Sequence, residues 1–301
     1  MISGLEVLRN AVPRREFLKL LGVIALTRQA RRAEPILQAT GLDHFNFRVS
    51  DVAKSAAFYH RLFGGELLRV DSIPANPTSP PGEAFYLRTG ESYQVISPAF
   101  AQSPPGLDHI CIGLRDYDPE MTKTKLEQNG FTPRRSNDDL WIHDSDGLLI
   151  QLQSLGGWGR LGATRGALPA PPEITAHDVP AFTPTSIIEI SLTVADSNRS
   201  GGFYGRLFGL EAEFPASTRG MNVKIGDMVL TLLPPATPSG TSTGPGLDYI
   251  GVGVKNFAAD SARRALRERG IDSYDRNHAG QVYFRDPDGI QVQLAPPALP
   301  R

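Results

Sequence analysis

The sequence predicts an α+β fold built from two copies of one unit, and three matched segments carry that prediction. Phe58-Tyr59-His60-Arg61-Leu62-Phe63-Gly64 returns as Phe203-Tyr204-Gly205-Arg206-Leu207-Phe208-Gly209. Gly106-Leu107-Asp108-His109-Ile110 returns as Gly246-Leu247-Asp248-Tyr249-Ile250, and Asp144-Ser145-Asp146-Gly147 returns as Asp286-Pro287-Asp288-Gly289. The segments recur in one order, which is the mark of an internal duplication.

The elements follow from periodicity and punctuation. Residues 42–49 alternate and predict a strand. Asp51 caps a helix through Ala57, Tyr59 and Leu62 that stops at Gly64-Gly65. Residues 66–71 predict a strand and 74–82 a loop of proline and serine. Residues 85–88 and 93–97 predict two strands around a turn at Gly90. The order β-α-β-β-β then restarts. A strand spans 109–114 and a helix 119–129, ended by Gly130. Strands span 131–134, 140–143 and 148–153, the last two joined by the Asp-Ser-Asp-Gly turn. The first copy is therefore itself a pair of βαβββ units. The second repeats this over 187–294, with helices near 198–207 and 258–269. The predicted modules are 41–155 and 185–297. Residues 156–184 between them are rich in Gly, Pro and Ala, lack a sustained period and predict a linker.

A chain of 301 residues has room for two domains with their own cores, and 40% hydrophobic with 21% charged residues is a globular composition. A net charge of −1 gives no electrostatic basis for nucleic acid or an anionic membrane surface. No run reaches the ~18 apolar residues of an integral membrane segment. The single cysteine, Cys111, excludes an intramolecular disulfide and a Cys-rich zinc site. The expected assembly is a monomer or homodimer. At the N-terminus, Pro13-Arg14-Arg15-Glu16-Phe17-Leu18-Lys19 resembles a bacterial twin-arginine signal, and a short apolar run follows from Leu20. Residues 1–35 are thus an expected export segment and the periplasm the expected location. The alternative is an amphipathic helix on a cytoplasmic protein.

The element order, with an Asp-Pro-Asp-Gly turn before the last strand, resembles the vicinal oxygen chelate superfamily. Its members include glyoxalase I, extradiol dioxygenases, fosfomycin-resistance enzymes and bleomycin-binding proteins. The resemblance covers about 41–155 and 185–297. It implies two tandem modules, each a pair of βαβββ units forming an incomplete barrel around a divalent metal. Carried over residue by residue, the first-strand ligand falls on His44 and that of the second unit on His109. The last-strand ligand, four residues beyond the turn glycine, falls on Gln151. The further Glu of glyoxalase I would fall near Ser97, which argues against a four-ligand site. Gln151 replaces the carboxylate of the usual two-His, one-carboxylate face. An amide oxygen can bind a hard cation without adding charge, so the ion would be held less tightly and be the stronger Lewis acid. The second copy has Glu189, Tyr249, Thr231 and Gln293 in the corresponding places. The resemblance therefore implies one divalent ion (Fe, Mn, Zn or Ni), sited in the first module.

Strand alternation extends the site. If His44 faces the interior, so do Asn46 and Arg48. Cys111 follows His109, and Gln153 follows Gln151. Phe45, Phe47, Ile110, Ile112, Ile150 and Leu152 would then pack beneath the helices. Buried polar side chains need partners, and a cavity for a polar small molecule supplies them. Asn46, Arg48 and Gln153 are thus candidate substrate-binding residues. Arg48 reads either as the partner of an anionic substrate or as a surface residue. Cys111 reads as a small core residue rather than a nucleophile. His143, just before the turn, is expected at the rim and is the candidate for proton transfer. His60 is expected to face solvent, and His177 and His278 to be inert. In the second copy Glu189 and Tyr249 are expected to bond each other and plug the cavity.

The expected function is that of a metal-dependent enzyme on a small oxygen-chelating substrate, of dioxygenase, lyase or isomerase type. Two-module dioxygenases usually keep their metal in the C-terminal module, which sets this chain apart from them. The alternative is a non-catalytic small-molecule binding protein of the bleomycin-resistance type. Such a protein needs no His pair, and this chain retains one. An interaction scaffold is a third reading, weakened by the polar interior.

Overall fold

The structure is a computed structural model that describes residues 34–71, 82–90, 92–164, 166–176, 179–210, 212–213, 220–235, 246–276 and 280–297. The expected export segment with Arg14 and Arg15, the histidines His177 and His278, and nearly all of the 74–82 loop lie outside the described residues.

In the first module β1 (Ala39–Val49) buries Phe45 and Phe47 on one face and His44 and Asn46 on the other. The helix α1 (Val52–Phe63) starts at Asp51, whose side chain accepts from Lys54 N, and ends at Gly64. Its buried stripe is Ala56, Tyr59, Leu62 and Phe63, the spacing of an amphipathic helix. Then come β2 (Leu67–Val70), β3 (Ala84–Thr89) and β4 (Ser92–Pro98). The second unit runs β5 (Gly106–Leu114), α2 (Pro119–Gln128), β6 (Arg134–Ser136), β7 (Asp139–His143) and β8 (Leu149–Ser154). The strand expected at 131–134 is displaced to β6. Phe131 N still bonds Leu126 O at the helix end, and the Phe131 ring packs edge-on against Phe203 of the second module, centroids 5.8 Å apart. His60, expected to face solvent, is partly buried.

The 156–184 segment, expected as a linker, carries α3 (Gly157–Thr164), β9 (Leu168–Pro169) and α4 (Pro172–Thr175). Three glycines within α3 hide its period in the sequence. β9 pairs with β2 and extends the first sheet. Leu161 packs on the concave face among Tyr86, Tyr93 and Val95. The second module runs β10 (Pro184–Thr193), α5 (Ser197–Phe208), β11 (Ala212–Glu213), β12 (Met221–Ile225) and β13 (Met228–Leu233). It continues with β14 (Gly246–Val254), α6 (Ala259–Arg267), β15 (Ser273–Tyr274), β16 (Val282–Arg285) and β17 (Gln291–Ala295).

The first sheet has the order β6-β7-β8-β5-β1-β4-β3-β2-β9 and the second β11-β12-β13-β10-β14-β17-β16-β15. Apart from β9, reversing the second reproduces the first, strand for strand. Each is an unclosed sheet whose two central strands, β1 with β5 and β10 with β14, run antiparallel. The apolar faces of both sheets and their helices share one continuous core. None of the described helices is long and apolar enough to cross a membrane.

The repeated motifs build the joint between modules, and they build it reciprocally. Tyr204 on α5 donates to Asp144 Oδ2 in the turn of the first module, at 2.9 Å. Tyr59 on α1 donates to Asp286 Oδ2 in the turn of the second, also at 2.9 Å. Asp146 accepts from Ala195 N at 2.8 Å and Asp288 from Ser50 N at 2.9 Å. Two hairpin glycines complete the symmetry. A Cβ on Gly90 (φ 66°) would lie 1.8 Å from Thr185 O, and one on Gly226 (φ 61°) 2.7 Å from Thr40 O.

Candidate metal centre

Two β-bulges make the site. Leu42 pairs with Ile112 and His44 with Cys111, so Asp43 is an extra residue in β1. Asn46 pairs with His109 and Phe47 with Leu107, so Asp108 is an extra residue in β5. A bulge re-aims side chains that simple alternation would send to opposite faces. Here each bulge brings an aspartate beside the histidine that follows it. His44 Nδ1 lies 2.9 Å from Asp43 Oδ1, and His109 Nδ1 lies 2.6 Å from Asp108 Oδ2. The two Nε2 atoms then meet at 3.3 Å. Both histidines are 3% exposed, so solvent does not separate them.

Each aspartate is anchored in turn. Asp43 accepts from Gln153 Nε2 and from Gly157 N, both at 2.7 Å. Burial works against its charge, but His44 and the Gly157 N–H outweigh it and hold the carboxyl below the usual carboxylate range. A Cβ on Gly157 would lie 2.5 Å from Asp43 Oδ1, so only glycine lets α3 approach this closely. Asp108 pairs with Arg48 Nη1 and accepts from Asn46 Nδ2 at 3.5 Å. Arg48 also donates to Leu107 O at 3.2 Å and Pro104 O at 3.3 Å. Asn46 Oδ1 accepts from Ser97 Oγ at 2.8 Å. The three residues expected to bind substrate, Asn46, Arg48 and Gln153, are thus all bonded to the carboxylates that hold the histidines.

Register aligns five side chains in a row across the concave face: Trp141, Gln151, Cys111, His44 and Tyr93, on β7, β8, β5, β1 and β4. Gln151 is 2% exposed. Tyr93 stacks on His44, centroids 4.6 Å apart, and Trp141 meets His109 edge-on at 4.9 Å. Trp158 of α3 packs on Tyr93 at 5.6 Å. The family resemblance points to His44, His109 and Gln151, and strand alternation counted from them sends Asp43 and Asp108 to the other face. An aspartate directly before each histidine is the signal that could have found them.

The donor set fits a cation. With both Nδ1 atoms donating to carboxylates, both Nε2 atoms turn lone pairs toward one another. Two lone pairs 3.3 Å apart repel unless a proton or a cation lies between them. Carboxylate-backed imidazoles are the usual outer support of a metal-binding histidine. Asp43, His44 and Cys111 also bring ligand atoms within 4.8 Å of one another. That triad is the poorer site, because both Asp43 oxygens are already engaged.

The matching row of the second module is Tyr283, Gln293, Gly251, Glu189 and Val229. The bulges recur at Ile188 and Asp248, but Ile188 has no carboxylate to offer. Tyr249 and Thr231 each donate to Glu189 Oε1 at 2.5 Å, which is the expected plug. Thr231 pairs with Ser191 and so matches Val95, not Ser97 as the sequence alignment has it. Burial first, then the Glu189 charge, push the Tyr249 phenol far above its ordinary value. Gln293 Nε2 donates to Tyr283 Oη at 2.7 Å.

His143 is exposed at the end of β7. It lines a cavity of about 270 Å³ between the modules, with Arg48, Asp108 and Leu149 on one side and Leu192, Val194 and Leu247 on the other.

The Glyoxalase/Bleomycin resistance protein/Dioxygenase superfamily profile matches residues 41–152 and 186–294. No curated protein sequence matches the chain. Among solved structures, homoprotocatechuate 2,3-dioxygenase from Brevibacterium fuscum, in complex with 3,4-dihydroxyphenylacetate, is similar with a TM-score of 0.59 at 14% identity. That match covers 87% of this chain and 82% of the other. The 2,3-dioxygenase LapB from Pseudomonas sp. KL28 is similar with a TM-score of 0.57 at 14% identity, covering 86% and 92%. A xylose isomerase-like TIM barrel/4-hydroxyphenylpyruvate dioxygenase fusion protein gives 0.55 at 14% identity, covering 86% and 49%. At these identities the likeness is one of fold.

Proposed function

Since the chain belongs to the Glyoxalase/Bleomycin resistance protein/Dioxygenase superfamily, we propose that it is a metal-dependent enzyme acting on a small oxygen-bearing substrate, with its one centre in the first module. The observation that carries this reading is the pair of facing imidazoles, Nε2 to Nε2 at 3.3 Å, each backed by its own carboxylate. His44 and His109 hold the ion, and Gln151 supplies a neutral oxygen from the same row. Bound there, a divalent ion would polarise substrate oxygens as a Lewis acid. A set of imidazoles with an amide oxygen suits iron, manganese, zinc or nickel. Asp43 and Asp108 keep the protons on Nδ1 and fix the ring orientations. Arg48, Asn46 and Gln153 keep those aspartates in place. Tyr93, Trp158 and Leu161 wall the concave face against water. The dioxygenases of like fold favour oxidative ring chemistry within this class.

The experiment is metal analysis of the full chain purified without chelator or metal-binding tag. About one divalent ion per chain is expected, lost in His44→Ala and in His109→Ala and kept in Glu189→Ala. An ion lost only with Glu189→Ala would move the centre to the second module, and no ion at any metal concentration would favour a sequestering protein. Export is a separate proposal resting on Arg14 and Arg15. Replacing both with Lys should retain the chain in the cytoplasm on fractionation, and an unchanged distribution rejects it.

A further inference from the structure

Trp141 occupies an unusual position in the row. Its side chain is buried, the residue being 5% exposed, yet its indole Nε1 has no hydrogen-bond partner among the described residues. Buried donors are nearly always bonded, and an indole N–H can only donate. The donor is also beside the centre. Trp141 pairs with Gln151, and its ring meets the His109 ring at 4.9 Å. The unpartnered donor thus belongs to a ring that packs edge-on against His109.

In the second module the residue at the position of Trp141 has its partners, although Gln293 Oε1 is left without one among the described residues. Tyr283 stands at the position of Trp141 and Gln293 at that of Gln151. There the two bond each other directly, Gln293 Nε2 to Tyr283 Oη at 2.7 Å, and Gln281 Oε1 accepts from both at 2.9 Å. A phenol both donates and accepts and can complete such a network internally. An indole in its place removes the acceptor and leaves one buried donor without a partner among the described residues.

We infer that the Trp141 indole N–H donates a hydrogen bond to a negatively charged oxygen of the small molecule bound at the metal centre. Trp141 is thus a substrate-recognition residue, and the ligand class is an oxyanion: a carboxylate, enolate or phenolate oxygen within reach of both His109 and the indole. A charged acceptor answers a lone buried donor better than a neutral one, because charge-assisted hydrogen bonds are the stronger. The inference rests on the metal reading above, and its test is arranged to separate the two.

The probe is oxalate, a small dianion with adjacent oxygens. Zinc binding to the full chain is measured first, then oxalate binding to the zinc-loaded protein by calorimetry. The indole N–H resonances are followed in ¹⁵N-labelled protein, with Trp158→Phe used to assign them. The expected result is a downfield shift of the Trp141 N–H on adding oxalate. Oxalate should bind Trp141→Phe about tenfold more weakly or worse, as loss of a bond to a charged group requires, with zinc affinity unchanged. Unmoved Trp141 resonance with equal oxalate affinity in wild type and Trp141→Phe overturns the inference, as does failure of oxalate to bind the zinc-loaded wild type. If the chain takes up no zinc, the metal reading falls by itself. Oxalate is then titrated into the metal-free chain, where a shifted Trp141 N–H still supports the donor role and an unmoved one rejects it.

Discussion

The two modules share a backbone plan down to their irregularities, yet differ at the positions facing the concave interior. Both carry bulges at matching places, among them Asp43 and Asp108 in the first and Ile188 and Asp248 in the second. In the first, each bulge delivers a carboxylate to a histidine. In the second, Ile188 delivers nothing, and Asp248 bonds Arg276 at 3.0 Å and Ser191 at 3.3 Å. Glu189 is closed off by Tyr249 and Thr231. Bulges are thus a property of the fold, while the chemistry depends on which residue each bulge presents. The open polar atoms differ in sign as well: a donor at Trp141 in the first module, an acceptor at Gln293 Oε1 in the second.

The joint, unlike the interior, should be equivalent on both sides, and this is where the largest effect is expected. Tyr59→Phe and Tyr204→Phe each remove one hydrogen bond to a buried carboxylate, at about 1.5–3 kcal/mol apiece. The double variant should lose about 3–6 kcal/mol in urea unfolding, since the sites are independent. A cost confined to one side would show that the reciprocity is geometric only. The interior should be unequal. Asp43→Asn should weaken divalent-ion binding about 10–100-fold, the usual cost of removing the support behind a ligand. Asp248→Asn should leave the ion untouched in the same titration; equal losses in both would erase the distinction between modules.

The smallest effect concerns alkaline pH. Burial first, then Asp286 and Asp144, hold the Tyr59 and Tyr204 phenols well above their ordinary value of 10.0. In the unfolded chain they ionise near that value. Folded phenols therefore keep protons that unfolded ones lose, so the stability they confer is complete below pH 10 and declines above it. Each should cost roughly 0.8 kcal/mol half a unit above pH 10. Thermal unfolding of Tyr59→Phe or Tyr204→Phe should fall less steeply than wild type across this range, and by the same amount in both. A parallel decline would mean the phenols are not the titrating groups.

Much of this was legible in the sequence, for physical reasons that also mark the limit. Beyond their bulges β1 and β5 alternate, so Phe45, Phe47, Ile110 and Ile112 predict the apolar face. The plug of Glu189 and Tyr249 was legible because those residues stand where His44 and His109 do. Asp43 and Asp108 were not, since period-two reasoning assumes an unbroken strand and a bulge inverts it locally. Alternation sends Arg48, Asn46 and Gln153 to the interior, but which carboxylate each meets depends on bonds across strands. In the sequence Tyr59 and Tyr204 show only as helix residues, because the aspartate each one bonds lies in the other module. The α3 helix was hidden by its glycines, one of which, Gly157, lets it approach Asp43.

That approach gives the chain a direction. A tandem protein is usually pictured as beads on a string, whose order could be exchanged so long as each bead is intact. Here the stretch of string leaving the first bead turns back and touches its centre through Gly157 N and Asp43. A circular permutant opened between Ser154 and Gly157 would keep every residue and still loosen the grip on His44. The stretch that leaves the first module is thus part of that module's architecture.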